Sequence, residues 1–247
     1  MARICILGDS WACGEWQVEL RSRGRRVPKL VPGTGFGDYL QQQGHRVTSV
    51  AEGGSSNLTQ LARLTQYPRA QHTFDLVIMV LTDPLRDVFD QDYDDERPQD
   101  WNQYHEAYTQ AEQQQYQALT ELTAPVWLIG GCVRVNESLA QELGLQVAEP
   151  DWFERLCAKP RPYGLDIVCR SWPYWKCEIS LLEYLEQQQE QEQAHIARSR
   201  IFWPEPTREY RYFGPDGVHP NRQAHQELAL RLHEQIGKGI NGPTITK

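Results

Sequence analysis

Residues 3–14 of the chain read Arg-Ile-Cys-Ile-Leu-Gly-Asp-Ser-Trp-Ala-Cys-Gly, and this pattern of an apolar run followed by turn residues indicates the fold class. The apolar run that ends at Leu7 has the length of one buried strand, and Gly8-Asp9-Ser10 supplies the turn after it. Other apolar runs end in turn residues in the same way, at 46–51, 76–81 and 126–129. Helical patterns lie between them, at 36–43, 58–66 and 104–122. Because strands alternate with helices, the sequence predicts a parallel sheet with helices on both faces.

The length and composition of the chain are those of one globular domain. It has 247 residues, of which 40% are hydrophobic and 23% are charged, so it can bury a sizeable core. A last helix is predicted at 221–236 from an apolar stripe of Ala224, Leu228, Leu232 and Ile236. We find no internal repeat and no clear linker. The sequence therefore predicts a single-domain three-layer α/β/α sandwich over residues 1–247, in which the helix end and a tail occupy the 230s onward.

Charge and hydropathy exclude two classes of partner. The formal net charge is −8, with 33 acidic and 25 basic residues, which argues against sequence-independent binding of nucleic acid. The apolar runs are too short to span a bilayer, and the N-terminus lacks the long apolar region of a secretory signal. We therefore expect no membrane partner and a cytoplasmic location, with association with a virion left open. A basic cluster is interpreted as a solvated loop and comprises Arg21, Arg23, Arg25, Arg26 and Lys29.

The cysteines and histidines do not have the spacing of a metal site. Six cysteines occur without a Cys-x-x-Cys pair or a histidine at zinc spacing, and we expect neither metal nor organic cofactor. The default for these residues is a reduced thiol, buried in the case of Cys5, while pairing among 157, 169 and 177 stays open. His225 and His233 are interpreted as surface residues of the last helix.

Polar residues follow three of the predicted strands. Ser10 follows the first strand, Gly54 and Asn57 follow the second, and Thr82 with Asp83 follows the third. In open parallel sheets, ligands bind at the carboxyl ends of the strands. The sequence therefore predicts that these residues meet at one edge of the sheet.

Two segments at opposite ends of the chain carry the elements of nucleophilic catalysis. Ser10 leaves a buried strand where a helix can begin, so backbone N–H groups can stabilise an oxyanion beside it. Asp216 and His219 are separated by a Gly-Val pair, a spacing that can bring the carboxylate to the imidazole, and Pro220 suits the first turn of the last helix. Each segment alone is equally compatible with helix capping. Together they predict a Ser10–His219–Asp216 triad.

These motifs resemble those of the SGNH/GDSL hydrolases, a family of serine esterases, lipases, thioesterases and carbohydrate O-acetylesterases. Gly8-Asp9-Ser10 is similar to the first block of the family, and Asp216-x-x-His219 is similar to its last block. The resemblance implies a flavodoxin-like α/β/α fold with Ser10 as nucleophile, His219 as base and Asp216 as its orienting partner. In the second block it implies Gly54 as a backbone oxyanion donor, together with the N–H of Ser10.

The third block departs from the family pattern. The family has Gly-x-Asn-Asp after the third strand, and its Asn side chain donates to the oxyanion, whereas this chain has Val80-Leu81-Thr82-Asp83. We expect Thr82 or Asn57 to supply the donor in place of that Asn. Loss of one oxyanion donor typically costs ~10²–10³ in turnover.

The resemblance implies hydrolysis of a carboxylic ester, with an O-acetylated carbohydrate or a short-chain acyl ester as the substrate. An alternative stays open, in which the fold serves as a weakly active binding or structural protein of a viral or surface assembly. It is motivated by the third block and by a predicted helix at 178–200. That helix contains Glu-Gln-Gln-Gln-Glu-Gln-Glu-Gln and is either solvated or an oligomer or assembly contact.

Overall fold

The computed structural model describes residues 1–20, 26–66, 74–82, 84–87, 101–131, 133–157, 212 and 219–239. The Gln-rich segment and Asp216 lie outside these residues. Within them, the main sheet has five parallel strands in the order β4-β1-β5-β6-β7. Its strands are β1 (Arg3–Leu7), β4 (Arg46–Ser49), β5 (Leu76–Leu81), β6 (Val126–Gly130) and β7 (Gln146–Glu149). This is the flavodoxin-like order, as predicted.

Helices connect the strands of the sheet and pack on it. They are α1 (Ser10–Cys13), α2 (Phe36–Gln42), α3 (Asn57–Thr65), α4 (Trp101–Thr120), α5 (Glu137–Glu142), α6 (Trp152–Cys157) and α7 (Arg222–Lys238). A 3₁₀ turn at Pro84–Asp87 follows β5. None of the described helices is both long enough and apolar enough to cross a membrane.

The sheet is buried on both faces because alternate residues of each strand point to opposite sides. Ile4 and Ile6 of β1 join the core under α2 and α7, together with the apolar stripe of α7. Cys5 and Leu7 join the second core, under α3 and α4. The thiol of Cys5 is therefore buried, as predicted, and burial raises its pKa to about 12.

Strand order places the crevice of the sheet between β1 and β5. The chain runs from β1 outward to β4 and then returns to continue on the other side with β5. Ligands of open α/β sheets bind where the order reverses in this way, beyond the carboxyl ends of the strands. Ser10 follows β1 and Thr82 follows β5, so both lie at this crevice.

A second, antiparallel sheet interrupts the pattern directly after α1. It is a hairpin of β2 (Trp16–Leu20) and β3 (Arg26–Leu30), with Trp16 opposite Leu30. The interpretation of the basic cluster as a solvated loop is wrong for Arg26 and Lys29, which lie in β3. Its other arginines lie outside the described residues. Pairing between β2 and β3 satisfies the backbone here, although neither strand has a strong apolar run.

Candidate active site

The nucleophile candidate Ser10 is the first residue of α1. Asp9 caps this helix, since its Oδ1 accepts a hydrogen bond of 2.9 Å from the N–H of Trp11. The first N–H groups of a helix have no partner inside it, and that of Ser10 is one of these. The strand end and the cap thus hold Ser10 at the crevice with an N–H group available beside its hydroxyl.

The structure brings His219 to Ser10 although 209 residues separate them. Its Nε2 lies 2.8 Å from the Oγ of Ser10, which is the distance of a hydrogen bond. His219 is half-buried and precedes Asn221, whose side chain caps α7 through the N–H of Ala224. Of the predicted triad, Ser10 and His219 therefore meet as expected, while the position of Asp216 stays a prediction.

An ion pair ties the start of α7 to the segment after α1. The guanidinium of Arg222 donates to both carboxylate oxygens of Glu15 at 3.0 and 3.1 Å, and the Arg222 N–H adds a bond of 2.9 Å. Bidentate pairs of this kind fix orientation as well as distance. The bonds from Arg222 lower the pKa of the Glu15 carboxyl, so the pair stays charged. Because Arg222 is three residues after His219, this clamp holds His219 near Ser10.

His225 lies on the inner face of α7, one turn after this clamp. It is fully buried between Phe36 and Trp152, so the interpretation of His225 as a surface residue is wrong. Its Nδ1 accepts the N–H of Phe36 at 3.2 Å. Burial lowers the pKa of His225 to about 3, which keeps the ring neutral. The residue therefore joins α7 to the start of α2 and is a structural part of the fold.

Trp16, which the sequence analysis did not single out, borders the pair. Its indole Nε1 donates to the carbonyl oxygen of Ser10 at 3.0 Å. The indole also lies against the imidazole of His219, with ring centroids 5.2 Å apart and an interplanar angle of 31°. The Gly-Glu-Trp-Gln context of Trp16 carries no catalytic motif, so sequence alone had no signal for it.

A tight turn after β4 supplies the glycines of the second block. The N–H of Ser55 bonds to the carbonyl of Glu52 at 3.1 Å, and Gly54 has a φ of +79°, which favours glycine. A Cβ built on the neighbouring Gly53 would lie 3.7 Å from the Cβ of Ser10. The turn therefore lies beside the nucleophile, and Gly54 as oxyanion donor stays a prediction.

The hydrogen bonds of Thr82 and Asn57 argue against either side chain as a third oxyanion donor. The Thr82 hydroxyl donates a hydrogen bond of 2.8 Å to the Oδ2 of Asp9, which uses its only proton. Asn57 donates both of its amide hydrogens, one to the carbonyl of Thr82 at 2.9 Å and one to the Oε1 of Gln115 at 2.7 Å. Its Oδ1 accepts the N–H of Thr82 at 3.0 Å. Both side chains are buried and bound within the protein.

The same network continues away from Ser10. Gln115 of α4 donates to the carbonyl of Pro84 at 2.9 Å and to the carboxylate of Asp87 at 2.8 Å. Asp87 also accepts the N–H of Leu58, and burial raises its pKa. We call this set of residues the strand-end network; it comprises Asp9, Thr82, Asn57, Gln115 and Asp87. It joins the ends of β1 and β5 to α3 and α4.

Metal chemistry has no visible site in the part of the chain that the structure describes. No group of three or more His, Cys, Asp or Glu side chains there is arranged to hold a metal ion. Cys13 is the last residue of α1, and burial raises the pKa of its thiol to about 12. The candidate chemistry of this crevice centres on the Ser10 hydroxyl and the His219 imidazole, which contact each other.

Comparison with known proteins identifies similar solved structures. No family model matches the chain, and no curated protein matches it. The esterase EstA from Pseudoalteromonas sp. is similar, with 12% identity, a TM-score of 0.51 and coverage of 98% of this chain and 100% of that one. TesA has 15% identity and a TM-score of 0.49 over 96% and 98% of the two chains. A catalytic mutant of Axe2, an acetylxylan esterase from Geobacillus stearothermophilus, has 14% identity and a TM-score of 0.47 over 96% and 94%.

These similarities bear on the fold. The superposition with EstA spans nearly the whole of both chains, and the strand order of the main sheet is the predicted flavodoxin-like order. The α/β sandwich predicted from the sequence is confirmed as the fold of this chain. At 12% identity, the similarity to EstA shows the fold alone.

Proposed function

We propose that the protein is a serine ester hydrolase that acts through a covalent acyl-enzyme. The observation that carries the proposal is the distance of 2.8 Å between the Ser10 Oγ and the His219 Nε2 at the crevice of the sheet. A serine hydroxyl is a weak nucleophile until a neighbouring base accepts its proton. A half-buried histidine at hydrogen-bond distance is the base that such a serine requires.

The proposed reaction proceeds in two halves. His219 accepts the proton of Ser10 as the Oγ attacks the acyl carbon of the ester. It then gives this proton to the departing alcohol, which leaves the acyl group on Ser10. Water then attacks the acyl carbon while His219 accepts its proton. His219 returns this proton to the Ser10 Oγ as the bond to the acyl group breaks and the carboxylic acid is released. Asp216 orients the imidazole and stabilises its charged form, as the resemblance to the family implies.

The oxyanion is proposed to be held by backbone N–H groups alone. Those of Ser10 and Gly54 are the candidates, because α1 begins at Ser10 and the turn of Gly53 lies beside the Ser10 side chain. The strand-end network leaves neither Thr82 nor Asn57 with a proton to donate. Since one missing donor typically costs ~10²–10³ in turnover, we expect a slower enzyme than one with all three donors.

We propose a short acyl group on the substrate. A Cβ on Gly53 would lie only 3.0 Å from the Trp16 indole and 3.7 Å from the Cβ of Ser10, so the turn and the indole close one side of the nucleophile. An acetyl ester needs little room at the acyl carbon. An acetylated sugar and a simple acetyl ester share this acyl group and differ in the alcohol. Turnover measured on a panel of both therefore shows which alcohol the enzyme prefers.

The test is Ser10-dependent hydrolysis of a chromogenic acetyl ester by the full chain, with fluorophosphonate labelling in parallel. We expect turnover and one label in the wild type, and neither in Ser10→Ala. His219→Asn should lose turnover while the protein remains folded. Labelling that persists in Ser10→Ala would place the nucleophile elsewhere. A folded wild type without turnover on any ester would overturn the proposal.

A further inference from the structure

Trp16 contacts three parts of the candidate site at once. It is the first residue of β2, in the hairpin that follows α1, and its side chain is half-buried. The contacts are to the backbone of Ser10, to the ring of His219 and to the turn of Gly53. The hairpin therefore delivers one aromatic ring to both partners of the proposed proton transfer.

The contact with Ser10 is a hydrogen bond that orients the nucleophile. The indole Nε1 donates to the Ser10 carbonyl oxygen at 3.0 Å. The last four carbonyl groups of a helix have no partner inside it, and α1 has only four residues. The short helix that carries the nucleophile is thus stabilised from outside, by a side chain that also touches the base.

The contact with His219 is a tilted ring-to-ring packing. The centroids are 5.2 Å apart and the planes differ by 31°, so the two rings lie against each other in a tilted arrangement. A cation within about 6 Å of the face of a tryptophan is attracted by the negative potential of the ring. His219 becomes a cation at the moment when it takes the serine proton, and the contact is then stronger than in the resting state.

Gly53 makes this placement of the indole possible. A Cβ at this position would lie 3.0 Å from the Cη2 and 3.2 Å from the Cζ2 of Trp16. Both distances are shorter than ordinary van der Waals contact. The glycine of the second block thus admits the indole edge between the turn and the nucleophile.

We propose that Trp16 is a positioning residue that aligns Ser10 with His219 and favours the imidazolium form of His219 through its ring face. This inference rests on the proposed function, since it assigns Trp16 a part in the same proton transfer. Trp16 acts on the reaction through Ser10 and His219. A purely structural tryptophan would support the fold without changing how His219 binds its proton.

Other titratable and charged groups lie on the segments that carry or flank His219. Among the described residues these are Glu15 and Arg222, which form the clamp, and His225, which burial keeps neutral. Asp216 is the further carboxylate that the sequence predicts. The variants below leave all four unchanged, so a shift in the titration of His219 reports on the indole.

The experiment compares Trp16→Leu, Trp16→Phe and the exposed hairpin control Lys29→Ala on the chromogenic acetyl ester from pH 5 to 9. Trp16→Leu should lower kcat/KM about threefold to tenfold. It should also move the acid limb of the profile about half a pH unit lower, because the protonated base loses stabilisation. Trp16→Phe should restore part of both effects, and Lys29→Ala should match the wild type. A profile in Trp16→Leu that falls in height without shifting would overturn the proposal.

A second readout separates failure of this inference from failure of the proposed function. The imidazole resonance of His219, identified by its loss in His219→Asn, is titrated by NMR in the same variants. It should move to lower pH in Trp16→Leu and by less in Trp16→Phe, even if the wild type hydrolyses no ester. Identical titrations in all variants would overturn the role of Trp16 while leaving Ser10 turnover to be judged separately. Should Trp16→Leu not fold, the comparison of Trp16→Phe with the wild type decides in the same way.

Discussion

The ends of β1 and β5 carry polar residues that look alike in sequence and differ in state. After β1, the Ser10 hydroxyl and the His219 imidazole are half-buried and contact each other. After β5, Thr82 and the neighbouring Asn57 are each only 1% exposed, and every polar atom of their side chains has a partner. The first region keeps groups that can react with a ligand, whereas the second uses its groups to join helices to strands.

The comparison separates reactivity from stability. A buried polar group that is fully paired contributes rigidity, and removing its partner leaves it unpaired at a cost of about 1–3 kcal/mol. A half-buried pair costs little to alter but carries the chemistry. Variants at the end of β1 should therefore change activity alone, and variants at the end of β5 should change mainly the free energy of unfolding.

The largest effect is expected for Ser10→Ala. The change should lower kcat/KM by about 10⁴-fold or more, since loss of the nucleophile removes the covalent route. The free energy of unfolding should change by less than about 1 kcal/mol, because in the part of the chain that the structure describes the hydroxyl is bonded to His219. Ester hydrolysis and denaturant unfolding measure the two quantities. A large loss of stability would make Ser10 a structural residue and would contradict the distinction between the ends of β1 and β5.

Asn57→Ala should have the largest effect on stability. It leaves the N–H and carbonyl of Thr82 and the Oε1 of Gln115 without their partners. We expect the free energy of unfolding to fall by about 2–4 kcal/mol, from two or more unpaired buried groups. Urea unfolding is the measurement, with Thr65→Ala on the exposed side of α3 as control. An unchanged midpoint would show that water replaces the lost bonds.

Thr82→Val tests the role of a single hydroxyl at the end of β5. The valine keeps the shape but leaves the Oδ2 of Asp9 without the hydroxyl donor at 2.8 Å. We expect a loss of about 1–3 kcal/mol in the free energy of unfolding, and Thr82→Ser should recover most of it. Since Asp9 also caps α1, activity should fall only as far as Ser10 is displaced. If Thr82→Val had unchanged stability and a severely lowered kcat, the Thr82 hydroxyl would have to donate to the oxyanion after all.

The last effect concerns pH and the buried His225. Its pKa is about 3 in the folded protein, because of burial, and a histidine in an unfolded chain has a pKa near 6.5. Between these values the unfolded chain binds more protons, so the free energy of unfolding falls as pH drops from about 6.5 towards 3. The slope from this group approaches about 1.4 kcal/mol per pH unit.

The matched variant for this effect is His225→Gln. Urea unfolding at pH 5 and pH 7 should show a smaller loss of stability on acidification than the wild type shows. The slope should not vanish, since burial also lowers the pKa of His45, which contacts His233 at 2.9 Å. An equal slope in both proteins would mean that His225 titrates alike in the folded and unfolded states.

Much of the fold could be predicted because it follows from local patterns. The bounds of β1 and β5 agree with the apolar runs, and the bounds of α7 agree with its apolar stripe to within two residues. Strand β7 and the β2–β3 hairpin were missed, since neither has a continuous apolar run. Their strands are stabilised by pairing with neighbours, and pairing has no signature within a single segment.

The amino-acid sequence by itself determined the alternation of strands and helices and the candidate pair Ser10 and His219. Both follow from residue order, because turn residues end buried strands at recognisable positions. The partners of the polar groups could be known from the folded structure alone. There, Thr82 donates to Asp9, and Asn57 has a partner for each of its side-chain polar atoms. The burial of His225 and the contact between Trp16 and His219 likewise depend on the fold. The physical reason is that a side chain's hydrogen-bonding capacity is a local property, whereas its use depends on atoms brought close from distant parts of the chain.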